Sequence, residues 1–258
     1  MKKSRFGFTL VELIVVVAII AVLAALILPR LDGILSNANH AAAGASVADA
    51  TKFLDVYKTT KYAYPDGWDS LMDNGWTGLW NASTPTTKGL HTQLSGTGAK
   101  LSASALTAAE VTGLQKAGIY TFYNVDSTVA SSTRPGDAFN TPVAIADGKM
   151  AAFVTYPAII DHIYRQNKIF GATPGTLPTG CRLMAVGIGP HNAMIGTMMR
   201  EAPQYGNLDV TMTYNRLLAI FELNTSSSGT TKVTLRGVVG SDGDLLDDLA
   251  ASSNKAIN

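Results

Sequence analysis

Cysteine is nearly absent from this 258-residue chain: Cys181 stands alone, so no intramolecular disulfide can staple the fold. Charge is scarce as well, with 15% Asp, Glu, Lys and Arg against the quarter usual in soluble domains, which points to a large buried or lipid-facing fraction. Neither sign dominates, since 20 basic residues meet 19 acidic ones, and no basic domain emerges to support nucleic-acid binding. The four histidines, His40, His91, His162 and His191, lie far apart without the spacing of metal ligands. His191 follows Cys181 by ten residues and precedes Asn192, but no nucleophile motif surrounds the thiol, so a packed free cysteine is expected rather than an enzyme.

What the chain does have is one long apolar run. Residues 8–28 contain only two polar side chains, Thr9 and Glu12. As a helix these 21 residues reach roughly 31 Å, about the thickness of a bilayer's hydrocarbon core, where backbone polar groups must be satisfied internally. Lys2, Lys3 and Arg5 precede the run and no acid does, so the positive-inside rule places the N-terminus in the cytoplasm and the remainder across the membrane. Glu12 is the anomaly. A carboxylate near the end of a membrane helix costs about 2–3 kcal/mol and persists with a partner or a task, or by reaching back to the interface. An ordinary secretory signal would carry a small-residue cleavage site after the apolar run, whereas here Ala24 and Ala25 lead into more apolar residues and then Pro29-Arg30.

The stretch Lys-Lys-Ser-Arg-Phe-Gly followed by Phe8-Thr9-Leu10-Val11-Glu12 and the apolar run to Pro29 closely resembles the prepilin signal of type IV pilins and type II secretion pseudopilins. The resemblance covers about the first 30 residues. It implies cleavage between Gly7 and Phe8 by a prepilin peptidase and methylation of the new Phe8 amine. It further implies assembly into a homo-oligomeric helical filament through Phe8, Thr9, Glu12 and Pro29, with Glu12 neutralising the amine of a neighbouring subunit. An attraction of about 4 kcal/mol at 4 Å and an effective dielectric of 20 would set axial register, with desolvation consuming much of the gain. Implied partners are an inner-membrane assembly platform and minor pilins. The implied location is the inner membrane before assembly and a surface filament or periplasmic pseudopilus after it. The lone cysteine departs from pilins whose C-terminal loop is closed by a disulfide, and leaves major pseudopilins and cysteine-poor pilins as nearer kin. With the leader's three cations set aside, 17 Lys and Arg face 19 Asp and Glu, a net −2.

Four divisions follow: a leader at 1–7, a membrane or filament-core helix at 8–28, its amphipathic continuation at 29–64, and a globular head at 65–258 of roughly 195 residues. Pro29 should kink or end the first helix, and periodic apolar residues such as Leu31, Ile34, Ala38, Ala42, Val47, Ala50, Leu54 and Tyr57 predict its resumption to about Lys61. Leu54-x-x-Tyr57-Lys58, then Tyr64-Pro65, is similar to the helix end of major pseudopilins. Physically, Tyr64-Pro65-Asp66-Gly67 is a turn, with Trp68, Leu71 and Trp76 covering the core beside it.

Residues 80–104, rich in Ser, Thr, Gly and Lys, read as an exposed loop, and so does the stretch from 125 through Asn140. Thr107-Ala-Ala-Glu110 is a capping box opening a helix that Gly118 ends. Strands are expected at 119–124, 149–156, 182–188, 208–214, 217–223 and 232–239, and a helix from Pro157 to Lys168. The fold class is α+β: a long N-terminal helix packed on an antiparallel sheet head with inserted loops. Asp242, Asp244 and Asp247, with Asp248, offer hard oxygen ligands for Ca²⁺, as in major pseudopilins; equally, the turn is simply solvated, or Asp247 and Asp248 open a final helix. No other cofactor is expected. The functional expectation is a filament subunit, with a pseudopilin as the alternative and a membrane-tethered periplasmic enzyme or binding protein behind it.

Overall fold

The computed structural model describes residues 10–81, 88–96, 98–126, 133–166, 175–205 and 209–242. Its first element, α1 (Leu10–Lys61), is a single helix of 52 residues, about 78 Å long at 1.5 Å per residue. Pro29 does not end it; the helix runs through Pro29, Gly33 and Gly44, carried by helix-favouring Ala, Leu and Ile on either side. The stripe turned to the head is Ala43, Val47, Ala50 and Leu54, all essentially buried, at spacings of four, three and four. Ala42, expected in that stripe, is exposed, and Ala43 takes its place.

Tyr62, in the left-handed region at φ 57°, ends the helix. The turn expected at 64–67 follows, with Gly67 at φ +81° and so close to the next layer that a Cβ would stand 2.3 Å from the His191 carbonyl oxygen. Asp66 Oδ1 accepts the backbone N–H groups of Tyr120 and Thr121, each at 2.8 Å, which ties this corner to the sheet. Trp68 and Leu71 are fully buried, and Trp76 packs at the core margin.

The head is a mixed sheet of eight strands. In chain order they are β1 (Trp68–Asp69), β2 (Leu101–Ala105), β3 (Thr121–Val125), β4 (Phe139–Ala144), β5 (Met150–Val154), β6 (Cys181–Gly187), β7 (Leu218–Thr225) and β8 (Thr231–Val239). Strand β6 is the hub. β7 pairs it along its whole length, from Cys181 opposite Asn224 to Gly187 opposite Leu218. β5 and then the two-residue β1 therefore share its other edge. The expectation of an antiparallel sheet needs one correction: β1 runs parallel to β3, Trp68 beside Phe122 and Asp69 beside Tyr123. Parallel pairing needs a long crossover connection, and the chain between Asp69 and Thr121 supplies one.

Both faces of the sheet are covered. Met184, Val186, Ala219, Phe221 and Leu223 meet α1 and the helix α3 (Ala108–Lys116) on one side. Leu183, Ala185, Leu218 and Ile220 meet α4 (Pro157–Gln166), through Ile159, Ile160 and Ile163, and the single turn α2 (Thr92–Ser95) on the other. Central strands buried on both faces read as near-continuous apolar runs. The second layer corrects two expectations. Residues 80–104 are not simply an exposed loop, because Leu90, Leu94 and Leu101 are buried and the segment contributes α2 and the start of β2. The loop expected through Asn140 likewise ends early, since a 3₁₀ turn (Pro135–Asp137) leads into β4 and Phe139 is fully buried. In both segments small polar residues dilute a few apolar anchors below what periodicity detects.

The strand expected at 208–214 is also absent where the chain is described, from Asp209 onward. The Asp209 carboxylate accepts the backbone N–H and hydroxyl of Thr211, and its carbonyl accepts from Met212 and Thr213, so the chain turns; Thr213 forms only an isolated bridge to Gly89. Of the alternating residues there, Tyr214 alone is fully buried. The capping box is present as expected, with Thr107 Oγ1 accepting from Glu110 N and Glu110 accepting from Thr107 N.

Candidate assembly surface

The two ends of α1 have different environments. Its C-terminal part is held by the head, while Leu10, Val11, Leu13, Ile14, Val15, Val16, Val17, Ile19, Ile20, Val22 and Leu23 are each 51–75% exposed. Fully burying an aliphatic side chain of this size gains about 1.5–3 kcal/mol, so eleven in one helical stretch make a strong drive toward lipid or other helices. The aliphatic side chains point in every direction around the axis, which suits burial on all sides. Among the described residues no helix is long and apolar enough to cross a membrane. The uninterrupted described side chains, Leu10 to Leu23, span 14 residues, about 21 Å and short of a roughly 30 Å hydrocarbon core.

Of the residues singled out from sequence, Glu12 lies in the first turn of α1 within the exposed apolar stretch, where an acid also complements the helix dipole. Gly7, Phe8 and Thr9 lie outside the described residues, and Pro29 is described only by its helical backbone. Asp242 is buried at the end of the head, its carbonyl oxygen 3.5 Å from Lys100 Nζ, whereas Asp244, Asp247 and Asp248 lie outside the described residues. No group of three His, Cys, Asp or Glu side chains able to hold a metal occurs among the described residues.

Cys181 and His191 are not brought together. Cys181 begins β6 and His191 lies beyond its other end, roughly 20 Å away at 3.3 Å per residue. The thiol is buried. His191 stacks on Tyr123, ring centroids 4.2 Å apart, with Nε2 2.9 Å from Asn140 Oδ1. A buried carboxylate on the short strand β1, Asp69, has no signature in the sequence, where Trp-Asp-Ser after a Pro-Asp-Gly turn carries no sign that the acid is internal.

Comparison with known proteins bears on the same N-terminal stretch. The prokaryotic N-terminal methylation motif matches residues 2–28. The type IV wide pilus major component PilA4 of Thermus thermophilus is 39% identical over 73 residues, 28% of this chain and 56% of that protein. The type II secretion system core protein G of Aeromonas hydrophila is 35% identical over 75 residues, 28% of this chain and 52% of that protein. Its counterpart in Escherichia coli is 39% identical over 74 residues, 28% of this chain and 50% of that protein. The chain thus spans about half the length of the curated relatives it matches, and no solved structure matches it. The protein carries the prokaryotic N-terminal methylation motif and resembles the subunits of type IV pili and of the type II secretion system.

Proposed function

We propose that this chain is a structural subunit of a type IV pilus-like helical filament and has no catalytic role. The observation that carries the reading is the coincidence of the methylation motif with an apolar helical stretch left exposed by its own head. Prepilin peptidase cuts after Gly7 and methylates Phe8; residues 8–28 hold the precursor in the inner membrane with the head outside. On assembly the same residues leave lipid for a core of neighbouring helices, Phe8, Thr9, Glu12 and Pro29 lie in the contacts, and Glu12 neutralises a neighbour's N-terminal amine. The inner-membrane assembly platform and minor pilins are its partners. A pseudopilin is the second reading, favoured by the core protein G relatives and by the Leu54-x-x-Tyr57-Lys58 and Tyr64-Pro65 corner.

Intact mass and N-terminal sequencing of sheared cell-surface material, beside the membrane fraction, test this. A chain beginning with N-methylated Phe8 in the sheared fraction supports a surface filament. Mature chain confined to the envelope favours the pseudopilin. An intact Met1 chain in both fractions sinks both.

A further inference from the structure

Asp69 is fully buried at the joint where β1 enters the sheet. Its Oδ2 accepts the Tyr214 hydroxyl at 2.7 Å, and its Oδ1 has no hydrogen-bond partner. The backbone closes around the pair: a Cβ on Gly189 would fall 2.0 Å from Oδ1, and one on Gly187 would meet the Tyr214 hydroxyl. The cation whose charge bears on this acid, Arg216, does not pair with it. Arg216 spends its donors on the carbonyls of Gly136 at 3.3 Å and Ala202 at 2.7 Å and on the Asp137 carboxylate.

An ionised carboxylate here would leave a charged oxygen without a donor in a sealed apolar site, a costly state. A neutral acid avoids that. Oδ2 goes on accepting the Tyr214 hydroxyl and the proton sits on Oδ1, so the atom left without a partner belongs to a neutral hydroxyl rather than to a charged carboxylate. The geometry points to Asp69 as a protonated carboxylic acid whose ionisation is a switch that loosens the joint between β1, β6 and the Tyr214 segment. Burial raises the carboxyl's pKa well above its ordinary value, opposed by the Tyr214 bond and by Arg216, and assisted by Asp137. Of the titratable groups on the surrounding elements, Tyr123 stands in register with Asp69 on β3 with His191 stacked on it, and Cys181 and Arg182 lie at the opposite end of β6 from Gly187, the residue that pairs with Asp69.

The sign follows from linkage. A carboxyl whose folded value exceeds its unfolded one binds more protons in the folded state, so its contribution is full below about pH 4 and is lost as pH rises through the folded value. The head therefore loses stability toward alkaline pH from this group, the reverse of ordinary acid denaturation. Asp69→Asn keeps the shape and removes the titration.

Thermal unfolding of the full chain in detergent micelles between pH 4.5 and 9, wild type beside Asp69→Asn, is the test. Within the titration window the variant's Tm should gain on the wild type by about 3–5 °C per pH unit, the shift expected for one proton in a head of this size. Infrared spectra of the wild type should show a protonated-carboxyl C=O band that fades as pH rises and is missing from Asp69→Asn. Parallel Tm curves, or no such band at pH 4.5–6, would overturn the proposal. If the variant does not fold, the wild-type infrared titration decides alone.

Discussion

The hydroxyl of Tyr64 accepts the backbone N–H of Leu235 at 2.8 Å and the Lys58 ammonium at 2.7 Å. One oxygen thereby links the end of α1 to β8, the strand that, among the described residues, has β7 on one edge and no strand on the other. Lys58 also lies 4.5 Å from the centre of the Tyr64 ring, and that ring meets Phe221 edge-on in the core. The joint between stalk and head thus centres on a single aromatic residue just past Lys61, the last residue of the helix.

Replacing Tyr64 by Phe keeps the ring packing and removes the oxygen. Leu235 N–H then loses its acceptor, and the head should lose about 1–2 kcal/mol, read as a lower midpoint in chemical denaturation. Cleavage after Gly7 should be unaffected. A variant as stable as the wild type would show that water replaces the hydroxyl at this edge.

The corner around Tyr64 is legible in the sequence, because Pro65, Asp66 and Gly67 each have a conformational reason to turn the chain there. Strands β6 and β7 are legible for a different reason, since strands buried along most of their length are largely apolar, while β8 is marked by Lys232, Thr234 and Arg236 alternating with Val233 and Leu235. The expected bounds of all three fall within two residues of the observed ones at each end. The layer beyond the sheet is hidden. Leu90, Leu94, Leu101 and Phe139 are single anchors separated by Ser, Thr and Gly, and a two-residue strand such as β1 has no period to detect. At 208–214 the alternation is real, but local bonds to Asp209 compete with the ladder and win. The residues proposed for assembly are marked by motif rather than by periodicity, and Asp69 by neither.

The box at the start of α3 serves two purposes. Glu110, buried, bonds Thr107 N at 2.8 Å and also takes the Arg182 guanidinium at 2.9 Å, which itself lies 3.5 Å from the centre of the Phe153 ring. Thr107→Ala removes one cap and should cost about 1 kcal/mol. Glu110→Ala removes the reciprocal cap and the ion pair and should cost about 2–3 kcal/mol, discounted because Arg182 is partly exposed. Equal losses in urea unfolding would mean that the ion pair across to β6 contributes nothing.

Glu12 separates the assembly role from a plain anchor. Glu12→Gln keeps the side chain's shape and removes its charge, so a membrane anchor would be unharmed or improved. A filament subunit that uses the charge against a neighbour's amine should lose assembly while still being cut after Gly7. Losing about 1.4 kcal/mol per contact is a tenfold weakening, so sheared filament should fall at least about tenfold with the membrane pool intact. Undiminished filament would remove Glu12 from the contact.

Calcium binding by Asp242, Asp244 and Asp247 is a proposal with a direct test in the full chain. A cation that binds only the folded head raises its stability by about 2.7 kcal/mol at one hundred times its dissociation constant. Unfolding in Ca²⁺ should therefore occur at higher temperature than in chelator, with Mg²⁺ weaker because it demands tighter octahedral geometry and gives up water reluctantly. Asp242 is a poor residue to substitute, since it is 5% exposed and its loss would disturb packing whether or not an ion binds. Asp244→Asn and Asp247→Asn are the informative changes. Each should abolish the calcium shift while leaving the Tm in chelator unchanged. A Tm that ignores calcium in the wild type would reduce the three aspartates to a solvated acidic turn.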